Sequence, residues 1–389
     1  LTSENLNLIK PWLPPGFVDE LQFTEFSMKI QPYKSQPAHE IYLKATKQHA
    51  GQTSLGQDMR LNNYRAGQPF SQEQILASEE ETAGYMIAWN NIHRWQYFGY
   101  QVDELTMAYI GAETGPAPLA EKEGLVGGGK LDRLLSQSYH RVYLSHLAML
   151  ADNNYKLQLK DSETRFFKDY IEFLEPFNVK GTKFVVERML DPKADDQVNT
   201  YLPTERRIRR FSAKERSDSF MGSEATLDDF DGFSGRVLDY NWRYLGEKKI
   251  LSVADSVQPQ VTVYGPHSRV PKDEWQMRDC FAVEVTSTWD GHPYKSRVLL
   301  IDKETYGVAM SLIFRHDDTL WKTMQTIHRG PRDSTKMELS VPSWRGQINI
   351  DRYSNTTTVV RTKTDTVNPT MAPREIKRIF NVSSLTEGQ

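Results

Sequence analysis

The chain has 389 residues, with 48 Lys and Arg against 51 Asp and Glu, a formal net charge of −3. A balance this close to neutral argues against bulk electrostatic attraction to nucleic acid. Cys280 is the only cysteine, which rules out an intrachain disulfide and a thiolate metal site. Its apolar neighbours alternate with polar residues, which predicts an inert strand position. No run of about 18 apolar residues is present, so we expect no membrane-spanning helix.

Residues 1–70 are predicted to be an irregular arm that packs on the main body. Five prolines interrupt any long element here: Pro11, Pro14, Pro15, Pro32 and Pro37. Apolar rings are scattered between them, whereas a solvated tail is poorer in such rings. The chain starts at Leu1 without a methionine, as expected after removal of a signal peptide or at a cloning boundary.

Two helices are predicted in the next part of the chain. Residues 72–94 place Met86, Trp89, Asn90 and His93 on one face, with three glutamates near the start. A second helix is predicted over 131–150 from a stripe of Leu, Tyr and Val at three- and four-residue spacing. Residues 100–110 between them are predicted to form a strand, followed by a loop rich in proline and glycine.

From about residue 155 the pattern indicates β-structure almost throughout. Short turns separate several runs, which favours antiparallel neighbours. The predicted strands are 155–160, 165–175, 182–190, 197–202, 206–212, 240–246, 260–264, 280–288, 295–302, 307–315 and 319–328. One more strand is expected after residue 340, before the chain frays towards Gln389.

These elements predict a mainly β (α+β) fold built on a single large, curved, antiparallel sheet. About ten strands must curl under their own twist, and the two predicted helices would cover the concave face. An apolar ligand groove is expected between sheet and helices. Its predicted lining is the alternating apolar set on two strands: Val308, Met310, Leu312, Phe314, Phe281 and Val283.

Two sequence motifs resemble catalytic or nucleotide-binding sites without matching them. Residues 124–130 read GLVGGGK, but the next residue is Leu131 where a phosphate-binding loop needs Ser or Thr, and no buried strand precedes it. Residues 232–235 lack the glycine spacing of a nucleophile elbow. The nine histidines include no HExxH pattern. We therefore predict no catalytic residue, no metal and no cofactor.

The chain also contains an acidic run and a basic run. A calcium loop of EF-hand spacing would need acids at positions 227 and 238, where the chain has Leu227 and Leu238. A looser Ca²⁺ site stays open, beside a solvated turn that pairs with nearby arginines. The acidic residues are Glu224, Asp228, Asp229 and Asp231.

The densest positive patch lies at residues 206–210. Alternation in a strand puts Arg207 and Arg209 on one face and Arg210 on the other. Guanidinium groups bind phosphate oxygens two at a time, so the patch could hold a lipid headgroup at a groove rim. The alternative is pairing with Glu205, Glu215 and the acidic run.

Several segments resemble a known bacterial family of LolA-like outer-membrane lipoprotein-sorting proteins, a domain-of-unknown-function family. The resemblance is carried by VERMLDP (186–192), the run from DDQVNTYLP to TLDDFDGF (195–233) and DYNWRYLGEKKIL (239–251). Further matches are NNYRAGQPF (62–70), AGYMIAWNNIHRW (83–95) and YKSRVLLIDKETY (294–306). It implies a half-barrel over residues 71–389, including the two helices, in the periplasm of the Gram-negative envelope. It also implies a hydrophobic ligand and an RND-type transporter as partner.

Three functions are compatible with these features. The first is a non-enzymatic carrier or chaperone for a lipid or other hydrophobic molecule, in which Phe220 and Met221 between small residues would form a gate. The second is an assembly module for an envelope transporter, whose barrel is filled by its own side chains. The third is an enzyme acting on a lipid or glycan.

Overall fold

The computed structural model describes residues 1–113, 125 and 128–386. Its strands are β1 Lys29–Gln31, β2 Ser54–Leu55, β3 Leu61–Asn62, β4 Gly99–Gly111, β5 Lys130–Tyr143, β6 Arg165–Glu175, β7 Lys183–Met189, β8 Gln197–Leu202, β9 Arg207–Phe211, β10 Tyr240–Ser252, β11 Val263–Tyr264, β12 Val270–Pro271, β13 Glu274–Ser287, β14 Ser296–Asp302, β15 Val308–Phe314, β16 Leu320–Arg329, β17 Ser343–Asp351 and β18 Thr356–Thr362. The α-helices of these residues are α1 Phe17–Glu20, α2 Glu40–Gln48, α3 Gln72–Leu76, α4 Glu80–Ile92 and α5 Pro373–Ile379.

Fourteen strands form one open sheet, which confirms the predicted fold class. Thirteen follow the order β1-β13-β14-β15-β16-β17-β18-β4-β5-β6-β7-β8-β9, and β10 also pairs with β13. The sheet consists of two meanders, β4–β9 and β13–β18, joined by the antiparallel pair β18–β4. Only the short β1 pairs in parallel within the described sheet, so the prediction of antiparallel pairing is confirmed for the rest. A twisted sheet this wide has to curl.

The strand register separates two faces. The inner face carries Val283, Leu299, Gln347, Met107 and Ile171, as followed through consecutive strand pairs. The outer face carries alternate residues, including Cys280, Leu300, Met310, Ile348 and Val359, which pack in one core with arm residues such as Phe17, Leu21 and Phe26. Both faces of the central strands are therefore covered by other parts of the chain.

The helix predicted at 72–94 is two helices, α3 and α4. Ser71 caps α3 through a reciprocal pair of hydrogen bonds with Gln74, and the chain leaves the helical path before Glu79. Helix α4 buries Ile87, Ala88 and Trp89 against apolar side chains of β10, β13 and β14 on the inner face. It thus covers one half of that face.

The prediction of a helix at 131–150 is wrong, because residues 130–143 form β5. Leu135 packs in the inner-face core, whereas Leu134 contacts the outer-face core. A strand with both faces covered carries apolar residues at odd and even positions, which imitates a helical stripe. Residues 155–160 are also not a strand, and two strands plus helix α5 follow residue 340 where one strand was expected.

Residues 216–235, named here the plug loop, lie on the inner face beside α4. The backbone N–H of Gly232 donates to Gln347 Oε1 at 3.2 Å, and Arg297 of β14 donates to Asp229 Oδ1 at 2.6 Å. The Phe230 ring packs against the Trp344 ring of β17 in a tilted arrangement, with ring centroids 5.1 Å apart. The plug loop therefore takes the covering position that was predicted for a second helix.

Candidate ligand cavity

The largest cavity described here has a volume of about 290 Å³ and lies at one end of the inner face. It is enclosed by residues 36–43 of the arm, the β14–β15 turn at 302–307, residues 341–344 and the plug loop. Apolar and aromatic walls come from Tyr42, Trp95, Tyr100, Val102, Ala309 and Trp344, among others. The cavity is thus bounded by segments that are far apart in sequence.

A charged triad forms one wall of this cavity. Asp231 of the plug loop accepts from Arg94 Nη2 at 2.5 Å and lies 2.9 Å from His328 Nε2. Arg94 follows α4, and His328 lies near the end of β16. All three side chains are mostly buried but line the cavity. The triad therefore adds charged groups to a wall that also carries aromatic and aliphatic side chains.

The electrostatics of the triad favour an ionised Asp231. Burial alone would raise the pKa of the Asp231 carboxyl, but the Arg94 charge and the His328 hydrogen bond outweigh burial and lower that pKa below its usual range. Asp231 also has a left-handed backbone, with φ of 51°. Asp and Asn tolerate this conformation better than most residues, which accounts for the residue type at this reversal.

A second charged group also lines the cavity. Arg278 is almost fully buried and donates to Asp302 at 2.6 Å and to Glu304 at 3.0 Å. Tyr33 of the arm donates to Glu304 at 2.8 Å. These contacts tie the arm to the sheet where Leu43, nearly half exposed, stands at the mouth.

A second, smaller cavity of about 70 Å³ lies further along the inner face. Its walls are mainly apolar and include Leu105, Met107, Ile171, Val186, Val360 and Phe220. Trp344 lines both cavities, and Phe230 lines only the second. Phe230 and Trp344 therefore form the partition between the two spaces.

The structure does not bring the six predicted groove residues together on one face. A β-bulge shifts the register so that Leu300 pairs with Met310 but Ile301 pairs with Val308. Val308, Phe281 and Val283 therefore lie in the inner-face core with α4, and Met310 lies in the outer-face core. The expectation that Val308, Met310 and Leu312 share one face was wrong, because strict alternation cannot anticipate a bulge.

These side chains are packed against the protein itself. Val308, Phe281 and Val283 are fully buried, Leu312 is nearly so, and Phe314 is half-buried. Of the residues of β15, only Ala309 lines the large cavity. That the six residues bind a ligand stays a prediction.

The two residues predicted to form a gate are half-buried on the plug loop. The centroid of the Phe220 ring lies 5.8 Å from that of Phe184 and 6.2 Å from that of Phe173. Phe220 also lines the smaller cavity. The backbone carbonyl of Met221 accepts from Tyr109 at 3.0 Å. Phe220 lines the smaller cavity and Met221 lines neither, so the gate stays a prediction.

The predicted arginine rim lies at the outer edge strand, β9. Pairing places Arg209 opposite Thr200 and Arg210 opposite Asn199, so Arg207 and Arg209 share a face and Arg210 lies on the other. All three are exposed, and Arg209 pairs with Glu205 at 2.7 Å. The Arg209–Glu205 ion pair supports the alternative interpretation, in which these arginines pair with nearby acidic residues.

The acidic run is not a solvated turn. Asp228 pairs with Arg216 at 2.8 Å and accepts from Tyr240 at 2.8 Å, and Asp229 pairs with Arg297, with all five side chains buried. Pairing with arginines was expected, but burial was not. Within the described ranges, no group of three or more His, Cys, Asp or Glu side chains is arranged to hold a metal ion.

Three further predictions concern Cys280, the GLVGGGK segment and membrane-spanning helices. Cys280 is buried in β13, and burial raises the pKa of its thiol well above the usual value. Three of the seven residues of the GLVGGGK segment, Gly124 and residues 126–127, lie outside the described residues. In the part of the chain that the structure describes, none of the helices has the length and apolar character needed to cross a membrane.

The triad residues and Trp344 were not predicted as a site. Arg94 lies in the AGYMIAWNNIHRW segment and Asp231 in the acidic run, so both were noticed for other reasons. Nothing in local sequence indicates that His328, 97 positions from Asp231, would be its partner.

Comparison with known proteins agrees with this architecture. A family model described as protein of unknown function (DUF1329) matches residues 1–386. The uncharacterized protein PA3922 of Pseudomonas aeruginosa is 22% identical over 355 residues, covering 84% of this chain and 68% of that protein.

Solved structures share the fold. A DUF1329 family protein from Desulfovibrio piger has a TM-score of 0.53 at 18% identity, covering 79% of this chain and 100% of that one. A protein described as an outer membrane lipoprotein-sorting protein domain, from Vibrio parahaemolyticus, has a TM-score of 0.50 at 16% identity, covering 77% and 97%. A LolA superfamily protein, NE2245 from Nitrosomonas europaea, has a TM-score of 0.41 at 12% identity, covering 77% and 97%. The match across residues 1–386 shows that this chain belongs to the DUF1329 family.

Proposed function

We propose that the protein is a non-enzymatic carrier of a small amphipathic, largely apolar molecule in the periplasm. The observation that carries this proposal is the cavity of about 290 Å³, whose walls combine aromatic and aliphatic side chains with charged and polar groups, among them the Arg94–Asp231–His328 triad. Ligand sites typically combine apolar walls with a few placed polar groups.

The cavity size supports a ligand with one alkyl chain. Its volume lies at the small end of the roughly 300–1,000 Å³ range of ligand pockets. Burial of an alkyl chain stabilises the complex by about 0.8 kcal/mol per CH₂, so roughly ten methylenes contribute about 8 kcal/mol before ordering costs. That affinity suits a carrier, which must bind firmly and still release.

The cellular role is proposed in finer terms from the resemblance. The carrier would act in lipid or lipoprotein trafficking to the outer membrane, with an RND-type inner-membrane transporter as partner. The lipoprotein-sorting description of the Vibrio parahaemolyticus protein supports this role, at the level of a shared fold. The exposed Arg207, Arg209 and Arg210 line neither cavity, so they would bind anionic lipid headgroups of a membrane surface rather than the head of the bound ligand.

One observation favours the assembly module as a second candidate. The plug loop fills the middle of the inner face through buried ion pairs, including Asp229 with Arg297 and Asp228 with Arg216. A barrel filled in this way needs no guest to be stable. In this alternative the cavity at the end would be a docking surface for a transporter segment.

Native mass spectrometry of protein purified from its own host tests the proposal. Ala38→Trp places a ring in a half-buried position of the cavity wall, and Ala50→Trp is the control at an exposed position outside it. The carrier predicts bound lipid in the native protein and in Ala50→Trp, with clear loss in Ala38→Trp. An empty protein that co-purifies with a transporter supports the module, and turnover of an added lipid supports an enzyme.

A further inference from the structure

Three buried polar atoms in the wall of the large cavity have no hydrogen-bond partner among residues 1–113 and 128–386. They are Ser252 Oγ, Thr326 Oγ1 and Trp344 Nε1. The residues are 3%, 2% and 7% exposed, so bulk water does not replace the missing partners. A buried polar group without a partner destabilises a fold, and each such group calls for an explanation.

Two of these atoms lie beside the triad. Trp344 of β17 pairs directly with His328 of β16, and Thr326 lies two residues before His328 on the same face. His328 and Asp231 are hydrogen-bonded to each other, and Asp231 also accepts a hydrogen bond from Arg94. The polar side of the cavity therefore contains a satisfied charged group next to unsatisfied donors.

The chemistry of the donors narrows the class of ligand. An indole N–H can only donate, so its missing partner is an acceptor, whereas a Thr hydroxyl can donate or accept. Phe at 344 and Val at 326 would fill similar volumes without an unpaired polar atom. The three residues line the cavity, whereas the unpaired atoms themselves have almost no accessible surface, so a bound molecule supplies the missing partner when the side chain turns towards it.

We propose that the ligand carries an oxygen acceptor, as an alcohol or ester does, which binds Trp344 Nε1–H with the Thr326 hydroxyl as a second contact. This inference rests on the proposed carrier function and adds the chemistry of the ligand head. The head group would lie at the plug-loop side of the cavity, and the alkyl chain would extend along the apolar walls towards Leu43 at the mouth.

Thr323 provides a matched control. It lies on the same strand, its hydroxyl is also buried without a described partner, and it is absent from the wall of this cavity. Displacement of a fluorescent fatty acid by dodecan-1-ol and by 1-chlorododecane measures the contribution of the head, since chlorine is a poor acceptor. Thermal unfolding of each variant without ligand checks the fold.

The native protein should bind dodecan-1-ol about tenfold more tightly than 1-chlorododecane. Trp344→Phe and Thr326→Val should each remove most of that preference, while Thr323→Val keeps it. Thr326→Val should unfold at the same or a higher temperature than the native protein. Equal affinity of the native protein for both probes, or a preference unchanged in both cavity variants, overturns the inference. Failure of the native protein to bind either probe instead contradicts the carrier function itself.

Discussion

Phe230 and Asp231 are consecutive residues of the plug loop, yet their side chains line different cavities. The reversal occurs because Asp231 takes a left-handed backbone with φ of 51° after an extended Phe230. One residue therefore presents an aromatic ring to the apolar cavity, and the next presents a carboxylate to the mixed one. The plug loop is both the partition of the inner face and the source of its polar group.

The Asp231 carboxylate should make stability depend on pH. Asp231→Asn keeps the left-handed backbone but loses the charge, and should lower the free energy of unfolding by about 2 kcal/mol at pH 7. Because the folded-state pKa of Asp231 is lowered, its contribution is full above the unfolded pKa of about 3.9 and is lost as pH falls below it. Urea unfolding from pH 7 to pH 3 should show the two proteins converging; a constant difference contradicts this.

Gly232 should be required by close packing as well as by its backbone. It has φ of 80°, and a Cβ there would lie 2.4 Å from Val308 Cβ. Gly291 has φ of 82° with no atom within 4 Å of such a Cβ, so Gly291→Ala measures backbone strain alone. Gly232→Ala should cost about 2 kcal/mol more than Gly291→Ala in chemical unfolding, from the steric overlap. If the two substitutions lower the free energy of unfolding equally, the plug loop relaxes enough to accommodate the added Cβ.

The gate is tested by polar replacement of its two apolar residues. In a protein that also carries Phe230→Ala, so that an alkyl chain enters the smaller cavity, Phe220→Ser with Met221→Ser should leave the fold intact but speed ligand dissociation about tenfold, since apolar cover of that cavity is lost. Phe177→Ser, at a side chain that is 94% exposed, is the control for a general loss of surface hydrophobicity. Stopped-flow release of a fluorescent fatty acid measures the rate, and an unchanged rate removes the gate.

The partition should limit the length of the alkyl chain. Phe230→Ala removes the ring that lies 5.1 Å from Trp344, so the two cavities should merge and longer chains should bind more tightly, by about 0.8 kcal/mol per additional buried CH₂. Phe233→Ala is the control, because Phe233 is buried among Tyr240 and Trp242 and lines neither cavity. Titration with a series of alcohols compares the variants. The same optimum length in native protein and Phe230→Ala would show that the ring is not a barrier.

Strands were predictable wherever a single face is buried or a short turn follows. The predicted strand at 197–202 has the bounds of β8, and the strand predicted at 295–302 differs from β14 by one residue. Strand β5 was missed because Leu134 and Leu135 are both covered, one on each face. Periodicity reports burial on one side, so it fails where the rest of the chain covers both.

The composition and the alternating runs were sufficient to indicate a large antiparallel sheet, because these depend on neighbours a few residues apart. The choice of face for Val308 depends on one β-bulge in its pairing with β14. The meeting of Arg94, Asp231 and His328 depends on contacts between residues more than 90 positions apart. Such contacts are set by strand order, by one β-bulge and by the fit of buried side chains, none of which leaves a periodic trace in the chain. The sheet could be anticipated from local patterns, whereas the cavity exists only once the distant segments have packed.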